Sequence, residues 1–390
     1  MAGSADASAS GKIGRVFEDL RRSTQRHTLR SEFTDLYGDY SRFKTRAQRE
    51  TGVQWSLDAS FTQQWGVPNG GSPSLQFLAG LALNWDLFDD KTSGTGSIQF
   101  AAFHNRYLSR QNGADIGSNL GLITPINDWP VNQSQFAQLT YTHTLPDHPL
   151  SISIGQFPFY NFDGNQYLNN QQQNFVNYIL TQNGSATYAA AGLGANAQYN
   201  ATDTIQFALG FQYPNSASVA TLSFPGFQYG EFACVGYAQW TPKLAGLGSA
   251  QYSVTYYESP AIQQNPATRG WSLNAVQNLN DTWAVFGRAN RALEFTSAIR
   301  ASYALGVAMT NPLRRSQTDQ IGVALGFSDM AGPPTTPANA RNEKIIEAYW
   351  NWTFFGGLLI TPDVQFIVDP ALNPDRDSVW VLSLRATLMY

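Results

Sequence analysis

Charge is what this chain has least of. Asp, Glu, Lys and Arg make up 13% of its 390 residues, where an ordinary soluble domain carries roughly a quarter. So few charges cannot coat a conventional water-facing surface. Cysteine is nearly absent too. Cys234 stands alone, which excludes an internal disulfide framework and a cysteine zinc cluster. A lone cysteine within a strand reads as packed or lipid-facing rather than reactive. The four histidines (His27, His104, His143 and His148) meet no Gly-x-Ser-x-Gly elbow and no His/Glu metal spacing. The sequence therefore predicts neither an enzyme nor a metal or other cofactor. A net charge of −4 offers no basic face to nucleic acid. No run of about 18 apolar residues exists from which to build a transmembrane helix. Met1 to Ser10 lack the apolar core of a secretory signal and read as a short small-residue leader on a mature chain.

Yet 43% of the residues are hydrophobic and 13% are aromatic. They are dispersed by alternation. Near the end Trp380, Leu382, Leu384, Ala386, Leu388 and Tyr390 are apolar, and Val381, Ser383, Arg385, Thr387 and Met389 intervene. The same period of two runs through 53–62, 75–87, 204–213, 300–309, 320–328 and 358–368. A strand of that period puts one face in an apolar medium and the other in a polar one. The polar partners are mainly Gln, Ser, Thr, Asn, Gly and Ala, as a wet lumen would require. Connections are short after Asp89, Leu145, Asn200, Thr241, Leu279, Asn311 and Phe355. They are long at 109–132, 162–184, 214–226, 258–267, 329–339 and 369–377. Membrane barrels show that asymmetry, with short periplasmic turns and longer outer loops.

The expected fold is all-β: a transmembrane antiparallel β-barrel of about 16 strands over residues 51–390. Trp55, Trp85, Trp240, Trp350, Trp352 and Trp380 read as its interfacial girdle. Residues 1–50 form a separate charged segment, partly helical and arginine-rich from 11 to 50, expected at the periplasmic mouth. The third strand is ambiguous. Either Ile98, Phe100 and Ala102 or Gln99, Ala101 and Phe103 face lipid, which leaves Arg106 without a direction.

A barrel with a wet bore needs no nucleophile. Its chemistry is a constriction that replaces part of a solute's hydration while binding weakly enough to release it. Alternation places Asp58, Asp86, Arg288, Arg300, Glu347, Asp363 and Arg385 on the lumen side, with Tyr257 and Tyr349. An arginine at the midplane of the lipid face would cost about 2–4 kcal/mol, which argues for the inward assignment. Each of these charges has a second reading as an ion pair bracing the wall, such as Arg385 with Asp363 or Glu347. The connection 162–184 is amide-rich and almost uncharged, and Asp163, Asn165, Gln166 and Tyr167 open it. Loops of this length without their own structure are functional or disordered. This one is expected to fold inward and narrow the pore, with an outward surface loop as the alternative. Its amides and tyrosines suit neutral hydroxylated solutes better than ions.

Several stretches carry a family likeness. They are Glu50-Thr51-Gly52-Val53, Asn69-Gly70-Gly71, Leu81-Ala82-Leu83-Asn84-Trp85-Asp86, Ile154-Gly155-Gln156 and Phe162-Asp163-Gly164-Asn165-Gln166-Tyr167. The densest lie later: Glu347-Ala348-Tyr349-Trp350, Ile360-Thr361-Pro362-Asp363-Val364-Gln365-Phe366-Ile367-Val368-Asp369-Pro370, and Arg376-Asp377. Together they resemble the carbohydrate-selective porins (OprB type) of Gram-negative outer membranes. The resemblance implies a sixteen-stranded barrel in the outer membrane that passes monosaccharides and other small polar solutes by diffusion. Its partners would be those solutes and outer-membrane lipid; general porins suggest a homo-oligomer as well, while the family is also known in monomeric form. Two alternatives stay open. One is a channel for small organic acids, which the arginines permit. The other is a plugged barrel that anchors a periplasmic partner through residues 11–50.

Overall fold

The structure, a computed structural model, describes residues 32–214, 230–261, 266–294, 297–354 and 357–389. The first part of the N-terminal segment, most of the connection 214–226 and Tyr390 lie outside the described residues. A helix, α1 (Glu32–Thr51), leads into β1 (Val53–Val67), β2 (Ser74–Asp90) and β3 (Gly94–Tyr107). A second helix, α2 (Gly113–Leu120), precedes β4 (Gln133–Thr144) and β5 (Leu150–Phe157). The next connection holds a 3-10 turn (Phe159–Phe162) and a single helical turn, α3 (Tyr178–Thr181). Then come β6 (Gly192–Asn200), β7 (Ile205–Gln212), β8 (Ala233–Trp240), β9 (Ala250–Ser259), β10 (Thr268–Asn278) and β11 (Trp283–Glu294). The last five are β12 (Ile299–Thr310), β13 (Gln320–Met330), β14 (Glu343–Thr353), β15 (Leu358–Val368) and β16 (Ser378–Met389).

Every strand pairs antiparallel with its sequence neighbours, and β16 closes on β1 from Asp58 opposite Met389 to Val67 opposite Trp380. This is the expected sixteen-stranded barrel. The alternation explains its two faces. On β1, Ser56, Asp58, Ser60, Thr62 and Gln64 are buried inward, while Leu57 and Phe61 are exposed on the outside. On β3, Phe103 turns inward and Arg106 outward, which resolves the ambiguity of that strand. Of the six girdle tryptophans, five lie at the short-turn end, and Trp380 lies at the long-loop end.

One half of the lumen departs from the wet bore that alternation suggests. Phe286, Ile345, Ile367, Val379 and Val381 point inward and are buried in an apolar cluster with Ile116, Leu120, Phe175 and Ile179 from the connections. The inner faces of β12 and β13 are accordingly small. A Cβ on Gly306 would lie 2.5 Å from the Phe286 ring, and one on Gly322 would lie 2.4 Å from Tyr349. Wall and loop therefore pack as a dry core, in which each buried large side chain contributes about 1.5–3 kcal/mol.

α1 leans on the outer wall rather than crossing the bore. Gly52, at φ +73, turns the chain from α1 into β1, and a Cβ there would lie 2.2 Å from the Asp86 carbonyl oxygen. Trp55 Nε1 donates to Tyr40 Oη at 2.9 Å and Trp85 Nε1 to Thr51 O at 3.1 Å. Phe43 meets the Trp55 ring edge-on at 5.8 Å. Lys44 Nζ sits 5.6 Å from the Tyr40 ring and 5.7 Å from the Trp55 ring. Those rings favour the charged amine, but near the outer limit of the attraction, about 6 Å. Burial pushes the Lys44 amine down to about 8, opposed in part by the Asp58 carboxylate. An undocked Lys44 regains the ordinary lysine value, about 10.4. Between those values the undocked state binds more protons, so docking of α1 is expected to tighten as pH rises from 8 to 10. The mobility of a nitroxide placed on exposed Gln48 measures this. Lys44→Met is expected to flatten the profile, and a flat profile with Lys44 in place would contradict the assignment.

Candidate functional site

The connection 158–191 folds into the barrel and is held there by charged side chains of the wall. Leu168, Phe175, Val176, Asn177, Ile179 and Leu180 are all buried. Glu347 on β14 accepts from the backbone N–H groups of Val176 and Asn177, the latter at 3.0 Å. Arg385 on β16 donates to the carbonyls of Gln171 and Asn174, the latter at 2.9 Å. Thr387 donates to the Gln172 carbonyl at 2.7 Å. Arg288 on β11 donates to the Leu168 carbonyl, and its Nε to Asn274 at 3.1 Å. Asp163 accepts from Ser272 (2.6 Å), Asn274 (2.9 Å), Asn183 (2.9 Å) and Tyr188 (3.2 Å). A loop without regular structure has backbone groups to satisfy when buried. Here the wall supplies the partners, and hydrogen bonds to charged groups are the strong ones.

The connection 108–132 also turns inward. α2 starts with a reciprocal cap, Asp115 N to Asn112 Oδ1 at 2.9 Å and Asn112 N to Asp115 Oδ2 at 2.8 Å. It then lays Ile116 and Leu120 into the core. Beyond it, Glu343 accepts from Ile123 N (2.9 Å), Thr124 N (2.9 Å) and Ala371 N (3.0 Å). One buried carboxylate thus ties two connections to β14. Asn127 completes the attachment by donating to Gln64 (2.6 Å) and to Tyr107 Oη (2.9 Å).

Between the two inserted connections and the wall of β1–β4 lies a cavity of about 310 Å³. Its apolar lining includes Phe103 and Trp129, whose rings sit 5.6 Å apart. Tyr160 and Tyr178 add two further aromatic faces. Amides come from Gln171, Gln172 and Gln182, and carboxylates from Asp58 and Asp128. Gln182 donates to Asp128 at 2.7 Å, and Gln171 accepts from the Asp128 N–H at 2.8 Å. Gln173 reaches Asp58 at 3.4 Å. No Arg, Lys or His lines the cavity among the described residues.

Of the residues expected at the pore surface, Asp58 lines this cavity. Arg288, Arg385, Glu347, Asp163 and Asn165 are inside the barrel, but they face the buried side of the loop. Asn165 accepts from Tyr167 N (3.0 Å) and Leu168 N (3.1 Å). Tyr167 stacks on Phe286 at 4.8 Å. Tyr257 donates to the Ser185 carbonyl at 3.3 Å, and Tyr349 to Gln320 at 2.5 Å. Asp363 is buried near Arg385 and Glu347, yet no ion pair of Arg385 with either forms among the described residues. Asp86 lies at the short-turn end, accepting from Gln54 (3.2 Å) and Asn84 (2.6 Å). Gln166 is half-buried in the loop.

Arg300 departs from the lumen assignment. The register between β12 and β13 shifts at this residue, which takes it out of the alternation. It pairs with Asp329 at 2.7 Å, a residue in phase with outward-facing Val323, Leu325 and Phe327. Tyr178 and Gln182 belong to the connection expected to narrow the pore, whereas Phe103, Trp129, Asp128 and Tyr160 were not legible as lining residues. The Asn112-x-x-Asp115 cap ahead of Ile116 and Leu120 was a signal that 108–132 carries a packed helix.

The profile of the carbohydrate-selective porin, OprB family, matches residues 96–390. The chain is 34% identical over 349 residues to porin AaxA of Chlamydia abortus, covering 87% of this chain and 78% of that protein. It is likewise 34% identical over 359 residues to porin AaxA of Chlamydia pneumoniae, covering 89% and 82%. Among solved structures, the high-pH form of Pseudomonas putida OprB superposes with a TM-score of 0.72 at 16% identity, over 90% of this chain and 97% of that one. The low-pH form of the same protein gives 0.57 at 14% identity, over 93% and 100%.

Proposed function

From a chain that belongs to the carbohydrate-selective porin, OprB family, and is by fold and kinship an outer-membrane porin, we propose a diffusion channel for small neutral hydroxylated solutes, carbohydrates foremost, entering the periplasm of a Gram-negative bacterium. One observation carries this reading: the cavity beside the connection 158–191 sets aromatic faces against amides and carboxylates. A sugar presents apolar ring faces and many hydroxyls, and this lining meets both. Ring stacking and single hydrogen bonds are each weak, and conduction requires binding weak enough to release the solute.

The arginines were the argument for organic acids, and their placement weakens it. Arg288 and Arg385 donate to loop carbonyls, and Arg300 to Asp329. The acidic groups that line the cavity near neutral pH are the carboxyls of Asp58 and Asp128, and a carboxylate repels anions in a narrow space. The plugged-anchor reading finds no support in α1, which rests on outward-facing Trp55 and Trp85.

Proteoliposome swelling tests the reading. Glucose is expected to permeate faster than gluconate of similar size, and the reverse order would overturn it. In planar bilayers a KCl gradient is expected to give a reversal potential of cation-preferring sign, reduced by Asp128→Asn. Trp129→Ala is expected to weaken sugar block of the current by about 1 kcal/mol, the scale of an aromatic contact, or roughly fivefold.

A further inference from the structure

We infer that α1 is an interfacial helix, seated in the inner-leaflet headgroup layer of the outer membrane and bound there by anionic phospholipid. The inference rests on the outer-membrane barrel reading and adds a surface that the pore does not use. Three observations carry it.

The first is position. Trp55 and Trp85 are outward-facing residues at the short-turn end of β1 and β2, and they hold α1 through their indole N–H groups. Tryptophans of this kind mark the boundary between hydrocarbon and headgroups. A helix fastened to two of them lies at that depth.

The second is the division of its surface. Tyr40, Lys44 and Ala47 are half-buried toward the wall. Phe43 touches Trp55 yet is 58% exposed, an apolar side chain directed at whatever flanks the barrel. Arg42, Arg46 and Arg49 follow one another at i, i+4 and i+7, so they share a single face. All three are exposed.

The third is charge. From Ser41 to Thr51 there are four cations, Arg42, Lys44, Arg46 and Arg49, against one acid, Glu50. Arg42 is paired with Asp39. Arg46 and Arg49 have no ion pair among the described residues. A basic face beside an apolar one, at headgroup depth, matches a layer of phosphates over acyl chains.

The test uses the full-length protein in vesicles with a nitroxide at Phe43→Cys in a Cys234→Ser background. In phosphatidylethanolamine–phosphatidylglycerol vesicles the label is expected to collide more with oxygen than with a water-soluble nickel complex. The reverse would place the helix in water and overturn the proposal. The second arm raises the phosphatidylglycerol fraction. The labelled helix is expected to become less mobile, and Arg46→Glu with Arg49→Glu is expected to abolish that response. Each arginine is worth about fivefold in lipid partitioning, so the pair amounts to roughly 25-fold. An unchanged response in the double variant, or immobilisation only by an added periplasmic extract, would reject lipid as the partner. Conductance, measured on the same samples, reports the pore independently and is expected to stay unchanged.

Discussion

Replacing Arg385 with alanine is expected to widen the channel and erase its sugar block while leaving the barrel intact. The guanidinium is fully buried and donates to the carbonyls of Gln171 and Asn174. Those carbonyls flank Gln172, which lines the cavity and is held by Thr387. Without Arg385 two buried acceptors lose their partner, at about 1–3 kcal/mol each. The buried acids Asp363 and Glu347 also lose a neighbouring positive charge. Releasing residues 171–174 then offsets the penalty by letting water reach all of these groups. The rest of the connection stays attached through Glu347 and Arg288, so the change is local. Single-channel conductance is expected to rise, and amide exchange to accelerate at 170–175. Unaltered conductance and exchange would show that the clasp does not set the pore size. Arg385→Lys, with one ammonium in place of a fork, is expected to fall between the two.

Glu343→Ala is the second large effect, and it acts elsewhere. This carboxylate accepts from Ile123 N, Thr124 N and Ala371 N, and it is itself 0% exposed. Its loss strands three donors, those of Thr124 and Ala371 buried and that of Ile123 half-buried, a penalty of about 5 kcal/mol if all remain dry. The connections 108–132 and 369–377 are expected to loosen together, with faster exchange at 122–125 and 370–372 and a lower melting temperature in detergent. Because 108–132 delivers Asp128 and Trp129 to the cavity, sugar block is expected to weaken as well. Glu343→Gln keeps an acceptor oxygen and is expected to retain much of the attachment. Loosening of one connection without the other would show that the shared carboxylate is not what couples them.

The barrel was legible because alternation is local. Each strand from β1 to β16 writes its two faces into neighbouring residues, and short turns alternate with long connections between them. What those faces touch is not local. Arg385 finds its carbonyl 214 residues away, and Glu347 finds its N–H groups 170 and 171 residues away. Nothing in the spacing around either residue shows a loop above it. Arg300 misled for a different reason, since a single-residue register shift reverses a side chain and leaves no mark in composition. The dry half of the lumen did leave a mark. Ile345-Ile346, Phe366-Ile367-Val368 and Val379-Trp380-Val381-Leu382 are apolar on both faces, the pattern of strands buried on two sides. Read with the Asn112–Asp115 cap, those runs point to packed connections inside the bore.

The first strand is zipped to the last, which orders events in time. Arg385 and Thr387, on the strand that closes the barrel against β1, supply three of the contacts that keep Gln171, Gln172 and Asn174 in place. The loop beside the cavity is therefore fully held only once the seam between β1 and β16 is sewn. Until then residues 171–174 lack three of their anchors, so their amides are expected to gain protection from exchange only after β1 and β16 have paired.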